Sequence, residues 1–249
     1  IRDLVRSRGL GDVYKRQCYL SGVTSAVAKK LVQNGVVESY TVKPPMHSYA
    51  GGGQTQQPTD IILSAEQQAV YDRMVAALEE GMHCFLLHGV TGSGKTVVFL
   101  KLIERTLELG RRALVLVPEI SLTPQMIRRL KSTFGSRLAV QHSALNNTER
   151  LLQWRMIQQG NADIVVGTRS AVFSPLHNLG LIIVDEEQEH TYQSESAPRY
   201  DAHDIAKKRA VMENALLVFA SATPLTETYH AAQSGKLKLV TLTQRYGGC

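Results

Sequence analysis

The chain has 249 residues, of which 43% are hydrophobic and 20% are charged, and its formal net charge is +6. This composition is typical of a protein with one large α/β domain and a small attachment. No apolar run approaches the roughly 18 residues of a membrane span, and the basic N-terminus lacks the apolar centre of a secretory signal. These features argue against membrane-spanning and secreted proteins and predict a cytoplasmic protein.

The charge and the cysteines say less about function. Residues 1–17 contain five Lys/Arg against two Asp, a surplus of three that makes up half of the net charge, so the basicity favours an anionic partner only weakly. Cys18, Cys84 and Cys249 are far apart in sequence and form no C-x-x-C pair. Neither a disulfide framework nor a zinc site is therefore expected within the chain.

The first 60 residues divide into three predicted segments. Residues 1–17 show no clear periodicity and are expected to be a non-native or disordered leader. Residues 18–43 have a helix-period stretch from Ser25 to Asn34, stopped by Gly35, followed by strand-like alternation, and this predicts part of a winged-helix DNA-binding domain. Residues 44–60, rich in Pro and Gly, predict a linker.

Residues 61–249 alternate short apolar runs with helix-period segments. The apolar runs are Phe85–Leu87, Ala113–Val117, Leu138–Val140, Ile164–Val166, Leu181–Val184 and Leu216–Phe219, and the main helical segments are Leu100–Leu109, Gln125–Phe134, Glu149–Gln159 and Ala202–Met212. Short, non-alternating strands between helices predict an α/β fold with a mostly parallel sheet covered by helices on both faces.

Polar clusters follow five of these runs. They are Gly89–Thr96, Pro118–Thr123, Gly167–Ser170, Asp185–Gln188 and Ser221–Pro224. Ligands of such sheets bind outside the carboxyl ends of the strands, so the five clusters are expected to form one composite site.

The first cluster matches the G-x-x-x-x-G-K-[ST] pattern in full. Glycines let backbone N–H groups close around phosphates, Lys95 reaches the β/γ-phosphates, and the Thr96 hydroxyl can bind Mg²⁺. A strand before the loop and a helix after it complete the pattern. The predicted nucleotide-binding residues of this loop are Gly89, Thr91, Gly92, Ser93, Gly94, Lys95 and Thr96.

The second catalytic element is a run of four apolar residues that leads directly into Asp185 and Glu186. At the end of a buried strand one carboxylate, assigned to Asp185, can hold Mg²⁺ while Glu186 orients or deprotonates the attacking water. The pair favours nucleotide hydrolysis over binding alone.

The order of these motifs resembles the first motor lobe of superfamily 2 helicases, and most closely the primosomal protein N′ family of bacterial replication-restart DNA helicases. The motifs that carry the resemblance over about residues 61–248 are Leu63–Gln67, Gly89–Thr96, Val117–Gln125, Val140–Ser143, Gly167–Pro175, Asp185–Glu187, Pro198–Tyr200 and Ser221–Pro224. The resemblance implies a RecA-like P-loop lobe with ATP and Mg²⁺ as cofactors. It also implies single-stranded or forked DNA, primosome proteins and single-strand-binding proteins as partners.

The resemblance assigns further residues by their positions in these motifs. Gln67 would bind the adenine edge, and Gln188, Ser221 and Thr223 would sense the γ-phosphate. The residues expected to contact the DNA backbone are Thr123, His142, Thr168 and Arg169. Tyr192, Arg199 and Tyr200 lie in a loop that resembles the family's aromatic-rich loop, and they are expected to contact unpaired bases. This loop would couple DNA occupancy to hydrolysis. Taken alone, Gln67 also fits a surface residue, His142 a packed or capping residue, and Ser221–Thr223 a capped turn.

The chain departs from the family pattern at several positions. Gln188 stands where His is usual, and Gln193, Asp201 and His203 stand where Lys, His and Arg are common. ATP hydrolysis is still expected, with weaker coupling to DNA. The second motor lobe with its arginine finger and the zinc-binding cysteines of the full-length family would lie beyond Cys249, so this chain alone is expected to bind ATP·Mg weakly and to hydrolyse it poorly.

Two other functional classes compete with the helicase hypothesis. One is a DNA-binding and partner-docking module whose P-loop is hydrolytically inert, which Gln188 would permit. The other is a P-loop kinase or transporter ATPase. It is disfavoured because the sequence offers neither an acceptor site with a lid nor a signature loop.

Overall fold

The computed structural model describes residues 25–36, 62–81 and 83–245. The chain divides into two compact units, residues 1–53 with 147–152, and residues 54–146 with 153–249. The predicted leader (1–17), the predicted linker (44–60) and most of the predicted winged-helix segment lie outside the described residues.

In the smaller unit, the predicted N-terminal helix is present as α1, Ser25–Gln33. It ends at Gln33, and in the turn that follows Gly35 has a φ of 67° and the Val36 N–H donates to the Leu31 carbonyl. A glycine in this left-handed conformation is a common helix terminator. The strand expected after Gly35 lies outside the described residues, so the winged helix stays a prediction.

The larger unit is built around a seven-stranded parallel sheet. Its elements in chain order are α2 (Ala65–Glu80), β1 (Cys84–Gly89), α3 (Lys95–Glu108), β2 (Arg112–Leu116), α4 (Pro124–Phe134), β3 (Leu138–Gln141), α5 (Asn147–Gln158, of which residues 147–152 are assigned to the smaller unit), β4 (Ile164–Gly167), β5 (Leu179–Asp185), α6 (Ala202–Glu213), β6 (Leu216–Ser221), α7 (Thr226–Gln233) and β7 (Lys238–Leu242). Short 3₁₀ turns occur at Gly135–Arg137, Arg169–Phe173 and His190–Tyr192.

The sheet has a hydrophobic layer on each face because the middle positions of its central strands are apolar on both sides. On one face, side chains of α2, α3 and α4 such as Met74, Leu102 and Ile127 pack against the sheet. On the other face, α6, α7 and the end of α5 contribute mainly small residues such as Ala206 and Ala232. Each large apolar side chain buried in these layers contributes about 1.5–3 kcal/mol to folding. The predicted α/β fold with a covered parallel sheet is confirmed.

The six predicted strands are all present, and β7 is a seventh that the sequence analysis did not identify. It pairs with β1 at one edge of the sheet, where Leu242 lies opposite Gly89. Just beyond it, the carboxylate of Glu66 in α2 accepts hydrogen bonds from Thr243 and from the Gln244 N–H. These bonds lower the pKa of Glu66, the backbone bond from Thr243 contributing most.

Within the three described ranges, no helix combines the length and the apolar character that crossing a bilayer requires.

Candidate active site

The strand order brings the predicted polar clusters together in two adjacent groups. The strands run in the order β3-β4-β2-β5-β6-β1-β7, so the loops after β1, β6 and β5 are neighbours. The register sets His88 beside Ser221 and Asp185 beside Ala220. The clusters after β2 and β4, together with His142 after β3, form the other half of the same sheet edge. The expected composite site is therefore a nucleotide half and a second, polar half.

The loop after β1 has the backbone of a phosphate cradle. Gly92 and Gly94 both have a φ of 80°, a conformation that other residues rarely adopt, and α3 begins immediately afterwards at Lys95. A Cβ at Gly89 would lie 2.8 Å from Ser93 Oγ and 3.2 Å from Lys95 Cγ. A side chain at Gly89 would thus displace the side chains of Ser93 and Lys95 where the loop folds back on itself.

The P-loop side chains line this cradle. The buried Lys95 ammonium donates to the Gly89 carbonyl at 2.9 Å and lies 3.7 Å from Glu186 Oε1. Within the part of the chain that the structure describes, Ser93 Oγ is one of three buried side-chain atoms that have no hydrogen-bond partner. Thr91 is exposed and Thr96 is half-buried in the first turn of α3.

Gln67 lies against this loop and not in an open adenine pocket. Its side chain is 2% exposed, and its Nε2 donates to the Ser93 carbonyl at 2.9 Å. Its Oε1 accepts from the Ser64 N–H, which completes a capping box at the start of α2. In this structure the amide therefore fixes the P-loop to α2, and the predicted contact with adenine would require one of these bonds to be shared or exchanged.

Asp185 and Glu186 meet Lys95 at the end of β5. Burial of Asp185, with the negative charge of Glu186 beside it, raises the pKa of this carboxyl to about 6 although Lys95 opposes the shift. Glu186 has a φ of 47°, and its N–H donates to Asp185 Oδ1 at 3.1 Å. Strained backbone of this kind costs about 1–3 kcal/mol and often occurs at functional sites.

Gln188 connects Glu186 to the loop after β6. Its Nε2 donates to Glu186 Oε2 at 2.9 Å, and its Oε1 accepts from the Ser221 hydroxyl at 2.6 Å. Ser221 Oγ in turn accepts from the Thr223 N–H at 2.8 Å. The Gln188 amide thus joins the Glu186 carboxylate to Ser221 without carrying a charge.

Glu187 is a structural residue that the sequence analysis included in a motif but gave no role. It is fully buried, and its two carboxylate oxygens accept from the Leu225 N–H at 2.7 Å and from the Thr228 hydroxyl at 3.1 Å. The carboxylate therefore holds the start of α7. The only signal in the sequence was a third acid in a row directly after a buried strand.

The predicted DNA-contacting residues lie at the ends of β2, β3 and β4, but not all present their side chains. Thr123 is exposed and caps α4, its hydroxyl accepting from the Met126 N–H. His142 is half-buried directly after β3. Thr168 is only 4% exposed, so its hydroxyl has little surface, and its N–H already donates to the Gln141 carbonyl.

Arg169 joins this half of the site to the loop of residues 189–200. Its Nη1 donates to the Gln193 carbonyl at 2.7 Å and approaches the Thr191 carbonyl at 3.4 Å. The guanidinium thus holds the turn after β4 against the loop that follows the carboxylates.

The expectation that Tyr192 offers a stacking face is wrong for this conformation. The residue is 1% exposed, and its hydroxyl donates to the Asp185 carbonyl at 2.5 Å. Arg199 is exposed as expected, and Tyr200 is half-buried. The ring of Tyr200 makes an edge-to-face contact of 4.9 Å with Phe173, which is 47% exposed and which the sequence analysis missed.

Comparisons with known proteins agree with this geometry. Residues 65–231 match the model of the family described as DEAD/DEAH box helicase. The chain is similar to the replication restart protein PriA of Bacillus subtilis, with 44% identity over 232 residues that cover 92% of this chain and 28% of the relative. The corresponding values for PriA of Treponema pallidum are 41% identity, 86% and 32%. The chain thus spans about a third or less of the length of these relatives.

Two solved structures share the fold. RecG bound to a three-way DNA junction gives a TM-score of 0.55 with 26% identity, covering 75% of this chain and 24% of that chain. The helicase domain of Pyrococcus furiosus Hef gives a TM-score of 0.53 with 17% identity, covering 72% and 38%, and shows the fold alone. Since the family model matches well over half of its residues, the chain belongs to the DEAD/DEAH box helicases.

Proposed function

We propose that this chain is the ATP-binding first motor lobe of an ATP-dependent DNA helicase that acts in replication restart. The observation that carries the proposal is the unbroken series of side-chain contacts from Lys95 through Glu186 and Gln188 to Ser221. This series links the ends of β1, β5 and β6, next to a polar edge suited to a nucleic-acid strand. The similarity to PriA proteins, which are named for replication restart, supports the process.

The residues of the nucleotide half fit a magnesium-bound triphosphate. The buried, unpaired hydroxyl of Ser93 and the tight turn at Gly89 suit a loop whose polar groups close around phosphates. Thr96 and Asp185 supply the oxygen ligands that Mg²⁺ prefers. When bound, the ion neutralises charge that develops on the phosphate oxygens.

Hydrolysis requires two changes in the contacts of Lys95. Its ammonium exchanges the Gly89 carbonyl for phosphate oxygens and separates from Glu186, which then orients the attacking water and accepts its proton. Gln188 keeps the Glu186 carboxylate in place throughout, because its amide holds Ser221 at the other end. Binding of the γ-phosphate to Lys95 therefore reaches Ser221 through Glu186 and Gln188, and reaches Thr223 through its N–H bond to Ser221.

Single-stranded or forked DNA is proposed to lie along the ends of β2, β4 and β3. Thr123, His142 and Arg169 contact phosphates, and such contacts carry no sequence preference. Thr168 contributes only after its N–H leaves the Gln141 carbonyl. Arg199 and Tyr200 lie in the loop that Arg169 holds, and an unpaired base can stack on the exposed aromatic surface there.

The remaining parts of the activity belong to a longer protein. We infer a second motor lobe that contributes an arginine finger, a zinc-binding region, and contacts with primosome and single-strand-binding proteins, by analogy with the family. The short share of the PriA relatives that this chain spans is consistent with such an arrangement.

The test combines binding and hydrolysis. Binding of a fluorescent ATP analogue with Mg²⁺ is measured on this chain, and ATP hydrolysis is measured with and without single-stranded and forked DNA on the chain extended through a second motor lobe. Lys95→Ala serves as the site variant, and Lys236→Ala, an exposed lysine remote in sequence from every motif, serves as its matched control.

We expect nucleotide binding that depends on Lys95 and hydrolysis that DNA stimulates. If Lys95→Ala binds and hydrolyses as well as the Lys236→Ala control, the assignment of the nucleotide site fails. If hydrolysis is equal with and without DNA, the helicase hypothesis fails. DNA binding with no hydrolysis by the extended protein would instead identify an inert DNA-binding or docking module.

A further inference from the structure

The imidazole of His203 lies buried between the loop of residues 189–200, the aromatic loop, and the nucleotide half of the site. His203 occupies the first turn of α6 and is 8% exposed. Its ring centroid lies 5.1 Å from that of Tyr192 and 5.5 Å from that of Phe219. A ring in this position has almost no access to water, so its hydrogen-bond partners in the protein determine its state.

Both ring nitrogens of His203 face oxygen acceptors. Nδ1 lies 2.7 Å from Asp201 Oδ1, and Nε2 lies 2.9 Å from the Glu187 carbonyl oxygen. A backbone carbonyl can only accept, and a neutral imidazole has a single N–H. If Asp201 is ionised, both contacts can be hydrogen bonds only when the ring carries a proton on each nitrogen.

The surroundings of Asp201 favour its ionised form. Oδ1 also accepts from the His203 backbone N–H at 2.8 Å, and Oδ2 lies 3.3 Å from Gln193 Nε2, so both oxygens act as acceptors. Burial alone would raise the pKa of Asp201, but the hydrogen bonds from the backbone and ring of His203 outweigh it and lower that pKa. The carboxylate of Glu187, 3.9 Å from Nε2, adds a second counter-charge.

We propose that His203 is held as a buried imidazolium that fastens the aromatic loop to the Glu187 backbone, and that it acts as a positioning residue coupling nucleic-acid binding to the nucleotide site. This coupling rests on the proposed function. The imidazolium itself rests only on the hydrogen-bond geometry.

The contacts on either side of His203 give the coupling a physical route. Asp201 directly follows Arg199 and Tyr200, and a backbone bridge pairs it with Gln193, whose carbonyl Arg169 holds. On the other side, the Glu187 carbonyl lies one residue from Glu186. Movement of the loop on DNA binding therefore displaces Asp201. The imidazolium moves with Asp201 and shifts the Glu187 carbonyl, and with it the adjoining Glu186.

The departure from the family at this position has a chemical explanation in these terms. Arginine, which is common there by resemblance, carries a permanent charge and only donates hydrogen bonds. A doubly protonated histidine has the same two properties. Asp201, where histidine is common, supplies the counter-charge that the smaller cation needs when it is buried.

The protonation state is measured directly by side-chain nitrogen-15 NMR of the histidines of this chain at neutral pH. His203→Gln identifies the signals, and His230→Gln, an exposed histidine of α7, is the control. We expect both ring nitrogens of His203 to carry protons. Detection of a neutral tautomer would overturn the imidazolium, whatever the protein does with ATP or DNA.

The coupling is measured as the ratio of the dissociation constants of a fluorescent ATP analogue without and with a single-stranded oligonucleotide. We expect DNA to tighten nucleotide binding by a factor of about 5 or more, a usual size for coupling between sites. His203→Gln should bring the ratio close to 1, because both donors of an amide sit on one nitrogen, whereas the two acceptors face opposite nitrogens of the ring, and because the amide carries no charge. His203→Arg should retain the coupling, and His230→Gln should not change it.

A His203→Gln variant that keeps the coupling, or an arginine variant that loses it while melting at the unsubstituted temperature, would overturn the positioning role. So would a ratio of 1 in the unsubstituted chain when both ligands bind. If neither ligand binds, the proposed function fails together with the coupling, and the NMR result alone then decides the imidazolium.

Discussion

Replacing Glu187 with alanine is expected to lower the free energy of unfolding by about 3 kcal/mol, whereas glutamine at the same position lowers it by about 1 kcal/mol. The fully buried carboxylate accepts from the Leu225 N–H and from the Thr228 hydroxyl. Hydrogen bonds to a charged group contribute about 1.5–3 kcal/mol each. Losing both leaves the part-buried Leu225 N–H without this partner, while removal of the buried charge itself recovers part of the loss.

Glutamine keeps most of these contacts. Its amide oxygen can accept from the Leu225 N–H, and its NH₂ group can donate to the Thr228 hydroxyl, which both donates and accepts. The charge assistance is lost, together with the counter-charge 3.9 Å from His203 Nε2, so the cost is that of replacing a charged group by a neutral one. The two variants therefore separate the hydrogen-bond geometry from the charge.

The assay is urea unfolding followed by far-UV circular dichroism, with all variants at the same pH. Glu195→Ala, an exposed acid in the loop of residues 189–200, is the matched control and should change stability by less than about 0.5 kcal/mol. Equal stabilities for the alanine and glutamine variants, or an alanine variant within about 1 kcal/mol of the original chain, would refute the assignment of Glu187 as the anchor of α7.

Three further predictions concern the site. Tyr192→Phe removes the hydroxyl that donates to the Asp185 carbonyl and should lower the free energy of unfolding by about 1 kcal/mol in the same urea assay; no change would mean that water replaces the bond. Gln188→Leu breaks the link between Glu186 and Ser221 and should reduce the kcat of DNA-stimulated hydrolysis by the extended protein about tenfold. The nucleotide affinity should stay within about twofold of that of the unsubstituted protein. An unchanged kcat would show that hydrolysis does not depend on the link. Because the pKa of Asp185 is raised to about 6, a proton competes with Mg²⁺ for this carboxylate as the pH falls through that value. Mg²⁺-dependent nucleotide binding should therefore be about fourfold weaker at pH 5.5 than at pH 7.5. Asp185→Asn should abolish this pH dependence.

Much of the fold followed from local sequence pattern. Runs such as Leu181–Val184 are apolar at every position, which is the mark of a strand covered on both faces, and all six such runs form strands. β7 was missed because Lys238–Leu242 mixes polar and apolar residues at the edge of the sheet, where only Val240 and Leu242 are buried. Edge strands lack the continuous apolar signal that identified the others.

The site was predictable in its motifs and less so in its side-chain orientations. The P-loop and the paired carboxylates are contiguous in sequence, so their residue types alone indicate their chemistry. The partners of Gln67 and the burial of Tyr192 depend on contacts with distant segments, and no local pattern encodes them. Asp201 and His203 looked like losses of charge near DNA when taken singly, but the structure shows that they contact each other.

The edge strand β7 also determines where this domain can be cut. The match to the family model stops at residue 231, yet the Val90 N–H in the P-loop donates to the Leu242 carbonyl, and β7 covers the outer side of β1. A shortened expression variant ending at residue 231 would leave β1, the strand that carries the nucleotide loop, as an open sheet edge of apolar residues. Unpaired edges of that kind recruit other chains, so such a variant should aggregate, while one that extends through Gln244 should stay monomeric.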